Sequence, residues 1–274
     1  MVRALDLGGL SFAIIFASEF CVAWGLTGLP ALGKVGKKVT DFLCHAPGLD
    51  IALSIMIWIP WVLAIWLGQW PGFIGCLLGQ MTAMQLWVLV HERIQGQDLN
   101  GPRIQSYLNQ KFGWWRNQAA LWVTAIAVPI FFLIRLAEII LYPVLVALLG
   151  FKCYEHRDWI NVSRHKFEGL VGADLIWCLY CDWMTGVYSL GAEMLRNVES
   201  FWCPIRFYYN KKCENCSFDF PDIQQGWVAA DGTLKEVVRT LDAYITSRQT
   251  WSWFGDPDRT PGSTSTVSDP SPDR

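Results

Sequence analysis

The sequence predicts a mainly α-helical protein: polytopic membrane helices, three or four spans, followed by a small cysteine-rich domain of helix and irregular chain. Three observations predict it. Residues 51–90 contain no Asp, Glu, Lys or Arg, a charge-free length suited to lipid rather than water. The chain of 274 residues is 53% hydrophobic and 17% charged, where soluble domains carry about 25% charged residues. Cys153, Cys178, Cys181, Cys203, Cys213 and Cys216 crowd one polar stretch behind the apolar half.

The first apolar run covers residues 7–30, with Glu19 as its only charge. The second, Ile51 to Gly68, and the third, Gly72 to Val90, are separated by Gln69-Trp70-Pro71. A proline-containing break between two runs of span length predicts a tight helical hairpin. The fourth run, Ala119 to Leu149, carries Pro129, Pro143, Arg135 and Glu138. The last two stand three apart, close enough to pair on one helix face. Each run reaches the roughly 20 residues that a helix needs to cross hydrocarbon. Many of the sixteen tryptophans lie at run edges, among them Trp58, Trp61, Trp70, Trp87, Trp114 and Trp115. Indole favours the headgroup level, where its apolar body and its N–H are both accommodated.

Residues 1–150 therefore form the membrane region, 151–248 a peripheral cysteine-rich domain, and 249–274 a disordered tail rich in Ser, Thr, Pro and Asp. Within the peripheral domain, 165–200 reads as helix, 212–232 as turns and short extended pieces, and 234–248 as a short helix. The net charge of −2, with no concentrated basic block, excludes nucleic acid as a partner.

Cys178-Leu-Tyr-Cys181 and Cys213-Glu-Asn-Cys216 are two C-x-x-C pairs, and Cys203 precedes Pro204 between them. Two thiolate pairs supply the four ligands of a tetrahedral metal site, with Cys203 as a replacement ligand. The Cys213–Cys216 segment resembles the knuckle of zinc-ribbon and rubredoxin-like loops, although the second matching knuckle is missing. That resemblance implies a structural zinc, with iron as the other metal. Disulfides and redox-active dithiols are the competing chemistries. Asp174 and Asp182 flank Cys178 and Cys181 on the helical pattern, and Cys153 with His156 forms a C-x-x-H pair. His91-Glu92-Arg93 at the end of the third run reads as an interfacial cap. Glu193, Arg196 and Glu199, at three-residue spacing, read as a solvated salt-bridged face. No phosphate-binding, dinucleotide-binding, serine-nucleophile or H-E-x-x-H motif is present.

With four spans, Lys34, Lys37, Lys38, Arg93, Arg103, Lys111 and Arg116 fall on one side, and Arg3, Lys152, Arg157, Arg164 and Lys166 on the other. Seven against five slightly favours the loops as cytoplasmic, which would put the cysteine domain outside; reduced thiols argue the other way, for a cysteine domain in the cytoplasm. The expectation is an integral membrane protein whose metal-bound cysteine module meets a membrane-protein partner, or a second copy, at the bilayer surface. The alternative is a membrane-bound enzyme or thiol redox protein acting on a lipid, quinone or thiol.

Overall fold

The computed structural model describes residues 2–95, 103–167, 169–208 and 223–244. Among the described residues the chain is mainly helical, and β pairing is confined to isolated bridges. Three helical stretches, Asp6–Leu43, Gly48–Gln95 and Trp114–Leu149, are long and apolar enough to cross a membrane. The molecule is thus compatible with a bilayer environment. Two compact units divide it: Met1–Val128 with His156–Gly186, and Pro129–Glu155 with Val187–Arg274.

The first unit begins with helix α1 (Val2–Gly28), followed by a short turn and α2 (Gly33–Leu43). Gly33 takes φ +70, which few side chains tolerate, and breaks the axis there. Gly36 then lies against the Leu29 carbonyl, where a Cβ would clash. On one straight helix, residues seven apart would stand about 10 Å from each other. So α2 turns off α1 rather than prolonging it.

Helix α3 (Gly48–Gln95) is two arms joined by a reversal. Gln69 has φ 52 and ψ −151, and Pro71 follows two residues later. Trp61 donates its indole N–H to Gln80 at 2.7 Å, and the Trp61 and Phe73 rings lie 6.1 Å apart. Trp61 and Gln80 would be about 28 Å apart on one straight helix, so the arms run antiparallel. The hairpin expected from Gln69-Trp70-Pro71 is what the chain forms.

One hydrogen bond explains how the first arm accommodates a proline. Pro60 has no N–H to give the Met56 carbonyl, four residues back, and the helix widens to π geometry over Ser54–Trp58. Gln80 Nε2 donates to that carbonyl at 2.6 Å. In lipid no water could do so. Glu19 of α1 also hydrogen-bonds Gln80, which links all three apolar segments.

Small residues let α1 pack closely along the second arm. A Cβ on Gly75 would strike the Gly8 carbonyl, and one on Gly79 would come within 2.9 Å of the Phe12 oxygen. Close backbone approach over such stripes is how apolar helices associate when lipid offers no hydrophobic drive. Further along, Trp24 meets Trp87 at 6.5 Å. The two segments therefore run parallel, and α1 ends where the hairpin opens. There Trp87 and Val88 pack with Phe20, Ala23 and Trp24 against Ala173, Leu175, Ile176 and Trp177.

Those last four residues belong to α6 (Gly172–Trp202), which follows α4 (Ile104–Phe112) and α5 (Trp114–Leu149). The polar chain before α6 is stitched to the open end of the hairpin: Ala46 N–H donates to Ile160 O at 2.9 Å and Val162 N–H to Cys44 O at 2.8 Å. Trp122 of α5 meets Trp177 at 6.1 Å, and the Tyr180 hydroxyl donates to Thr124 O.

In the second unit, α5 again shows π geometry, over Ala137–Leu141 and two residues before Pro143. Val187, Leu190 and Met194 of α6 are buried there, as are Phe132 and Tyr142 of α5. Opposite them, Ile130, Leu133, Leu141, Val144 and Leu148 are exposed. After α6 the chain pairs Ile205 with Val228 and ends its described part with α7 (Leu234–Tyr244). At the start of α7 Thr233 donates both its N–H and its hydroxyl to the Glu236 carboxylate.

Candidate functional site

Two polar clusters stand out, one in each unit. In the first unit, His91 and Glu92 close the second hairpin arm and meet the N-terminus of α6, whose first N–H groups have no partner within the helix. Gly172 N–H donates to His91 Nδ1 at 3.1 Å, and Ala173 N–H to Glu92 Oε1 at 3.3 Å. The acceptor role fixes the His91 proton on Nε2, and the ring stacks on Trp87 at 4.3 Å. Gly172 has φ +54, and any Cβ there would strike the Glu92 side chain. His91 and Glu92 thus cap the N-terminus of α6, a use that the reading as an interfacial cap did not foresee. Arg103 then pairs with Glu92 at 2.6 Å, and a cavity of about 340 Å3 opens beside them, lined by Leu89, Glu92, Arg93 and Arg103.

Asp174 accepts from Ile104 N–H at 3.1 Å and Gln105 N–H at 2.9 Å, which caps α4. Burial raises its pKa, against those bonds and Arg103, which lower it. Asp182 accepts from Ser163 N–H at 2.6 Å and Arg164 N–H at 3.1 Å. Both carboxylates that flank the first cysteine pair are thus engaged with backbone.

Cys178 and Cys181 lie in the first half of α6, and Cys203 directly follows its last turn. Burial pushes the Cys178 thiol up, and the adjacent Arg164 only partly offsets this. Cys213 and Cys216 lie outside the described residues. Among the described residues no three His, Cys, Asp or Glu side chains gather as a metal cluster, and every cysteine is a free thiol.

In the second unit, the spacing of Glu193, Arg196 and Glu199 does not give one solvated face. Arg196 pairs with Glu199, but Glu193 is 4% exposed and accepts from the Tyr154 hydroxyl at 3.3 Å. Asn197, fully buried, donates to the hydroxyls of Tyr142 at 2.8 Å and Tyr154 at 2.6 Å. Tyr142 in turn donates to Lys152 O at 3.2 Å. Burial first, then the Glu193 charge, hold Tyr154 far above the ordinary phenol range. Both conditions keep it a hydrogen-bond donor. Ser200 accepts from the Trp227 indole at 3.1 Å and ties the later chain to the same row.

This network was missed in the sequence, yet it carried a signal. Asn197 and Ser200 continue the spacing of Val187, Leu190 and Met194, so they fall on the buried stripe. Arg135 and Glu138 form the expected i,i+3 pair at 2.8 Å, and both are buried. Comparisons with protein-family models, curated proteins and solved structures return no match.

Proposed function

We propose that this chain is a membrane-anchored accessory or interaction module, whose hairpin and first helix hold a polar platform at one face of the bilayer. The observation that carries the reading is the stitching of Ile160, Val162, Gly172 and Ala173 to the open end of the hairpin. A platform tied through backbone groups to both arms suits rigid presentation of a surface rather than a tethered domain.

The same stitching supports a reading of the orientation. The chain stands at this face at Thr124, before the rest of the fourth apolar run, and again at Ile160. Arg157 also pairs with Asp41 of α2. This supports α1 and the two hairpin arms as the through-crossings of the first unit. Arg157, Arg164 and Lys166 then join Lys34, Lys37, Lys38, Arg93, Arg103, Lys111 and Arg116, against Arg3 on the far side. Such a bias favours a cytoplasmic platform.

The cysteines that follow α6, Cys203, Cys213 and Cys216, complete the module as a structural zinc site, with iron as the other metal; Cys178 and Cys181 stand about 33 Å or more back along α6 and share no site with Cys203. Its support is the paired spacing. Elemental analysis and thiol titration of the purified full chain test it. About one equivalent of zinc with protected thiols is expected; metal-free protein with every thiol titratable overturns the zinc. The alternative, a membrane-bound enzyme or thiol redox protein, would show instead one thiol that alkylates much faster than the rest and whose mutation to Ser abolishes activity.

A further inference from the structure

We propose that α2 is an interfacial helix that binds the anionic phospholipid surface of the bilayer. The inference rests on the membrane reading above and not on the zinc.

Four observations carry it. First, α2 turns off the end of an apolar helix of span length, at the sharp Gly33–Gly36 corner, and so lies at a bilayer face. Second, its faces differ in chemistry. Lys34, Lys37 and Lys38 fall on one side at helical spacing, and all three are exposed. On another side Val35, Val39 and Phe42 are 72%, 38% and 49% exposed. Gly36 takes the side packed against the protein. A helix that buries only its glycine edge, and leaves an aliphatic–aromatic row uncovered beside three lysines, matches the pattern of helices lying in the headgroup layer.

Third, among the described residues no acid pairs with Lys34, Lys37 or Lys38. Asp41, the one acid of α2, pairs with Arg157 at 3.0 Å, which leaves the lysine row for an anionic counterpart. Fourth, Leu32 at the corner is 70% exposed, and Leu10 and Ile14 along α1 are exposed as well. Apolar side chains are thus uncovered on the span, at the corner and on α2. Such a surface fits acidic headgroups above, with acyl chains beneath Val35, Val39 and Phe42.

The test uses the full chain in nanodiscs of phosphatidylcholine with a minority of phosphatidylglycerol. A photo-crosslinking amino acid at Val39 reports what covers the apolar row, and the same probe at Leu10 reports the membrane-spanning surface. Lipid retained after detergent extraction is quantified by mass spectrometry, for wild type and for a Lys34→Gln, Lys37→Gln, Lys38→Gln triple variant. Lipid adducts at both positions are expected, with phosphatidylglycerol enriched in wild type. That enrichment should fall several-fold for each lysine removed and weaken with added salt. A lipid adduct at Leu10 with none at Val39 overturns the proposal and leaves the membrane reading standing. No lipid adduct at either position removes both. Equal enrichment in wild type and triple variant, a protein adduct at Val39, or full competition by soluble glycerol phosphate each overturn it as well.

Discussion

Asn197 shows how much a single amide can organise. Its two N–H groups serve two phenols, one of which passes its own proton to Lys152 O and the other to Glu193. Removing it leaves two buried hydroxyl oxygens without their donor, and unmet polar groups of this kind cost about 1–3 kcal/mol. Asn197→Ala is therefore expected to lower unfolding stability in detergent by that amount. Tyr188→Phe, at a residue 66% exposed, should leave it unchanged. Equal stabilities in urea titration would show the network to be incidental. The sequence disclosed the residue types here and not their use. Glu193 looked like one member of a surface charge row because spacing says nothing of which neighbour lies opposite. Tyr154, far away in the chain, helps explain why a carboxylate points inward.

At the scale of elements, the pattern of apolar runs gave the helices well, and the Gln69–Pro71 break gave the reversal. Two features escaped. Small residues at 72, 75 and 79 look unremarkable inside an apolar run until α1 is laid against them. The π segments ahead of Pro60 and Pro143 depend on which carbonyl loses its donor and whether another group can replace it. The glycine stripe yields a sharp expectation. Gly75→Ala drives a methyl into the Gly8 carbonyl, a backbone group with little room to yield. Overpacking of this kind costs about 1–3 kcal/mol. Gly9→Ala, one position from the contact and with nothing near its Cβ, should not destabilise. Thermal unfolding in detergent reads both; matching midpoints would mean that α1 does not seat on the hairpin.

For the whole molecule, the sequence announced the lipid-compatible half and misjudged the arithmetic of its basic residues. Counting Arg157, Arg164 and Lys166 opposite the loops assumed that each apolar run delivers the chain to the other side. The pairing of Ala46 with Ile160 and of Cys44 with Val162 puts them with the loops instead. No local pattern contains that information, because it joins residues more than a hundred positions apart. Epitope tags can check the resulting topology. A tag after Lys166 and one between α4 and α5 should be protected together in sealed cells. A tag between Gln69 and Trp70 should be open to antibody from outside. Opposite accessibility of the first two tags would refute a shared face.

The reversal at Gln69 has a bearing on biosynthesis. Because the arms hydrogen-bond each other through Trp61, Gln80 and Met56, their polar groups are satisfied only when both are present. They are best threaded into the bilayer as a pair. Excising residues 48–70 would leave one arm with an orphaned glutamine and an odd passage removed. On the topology proposed above, everything downstream would then emerge in the opposite compartment.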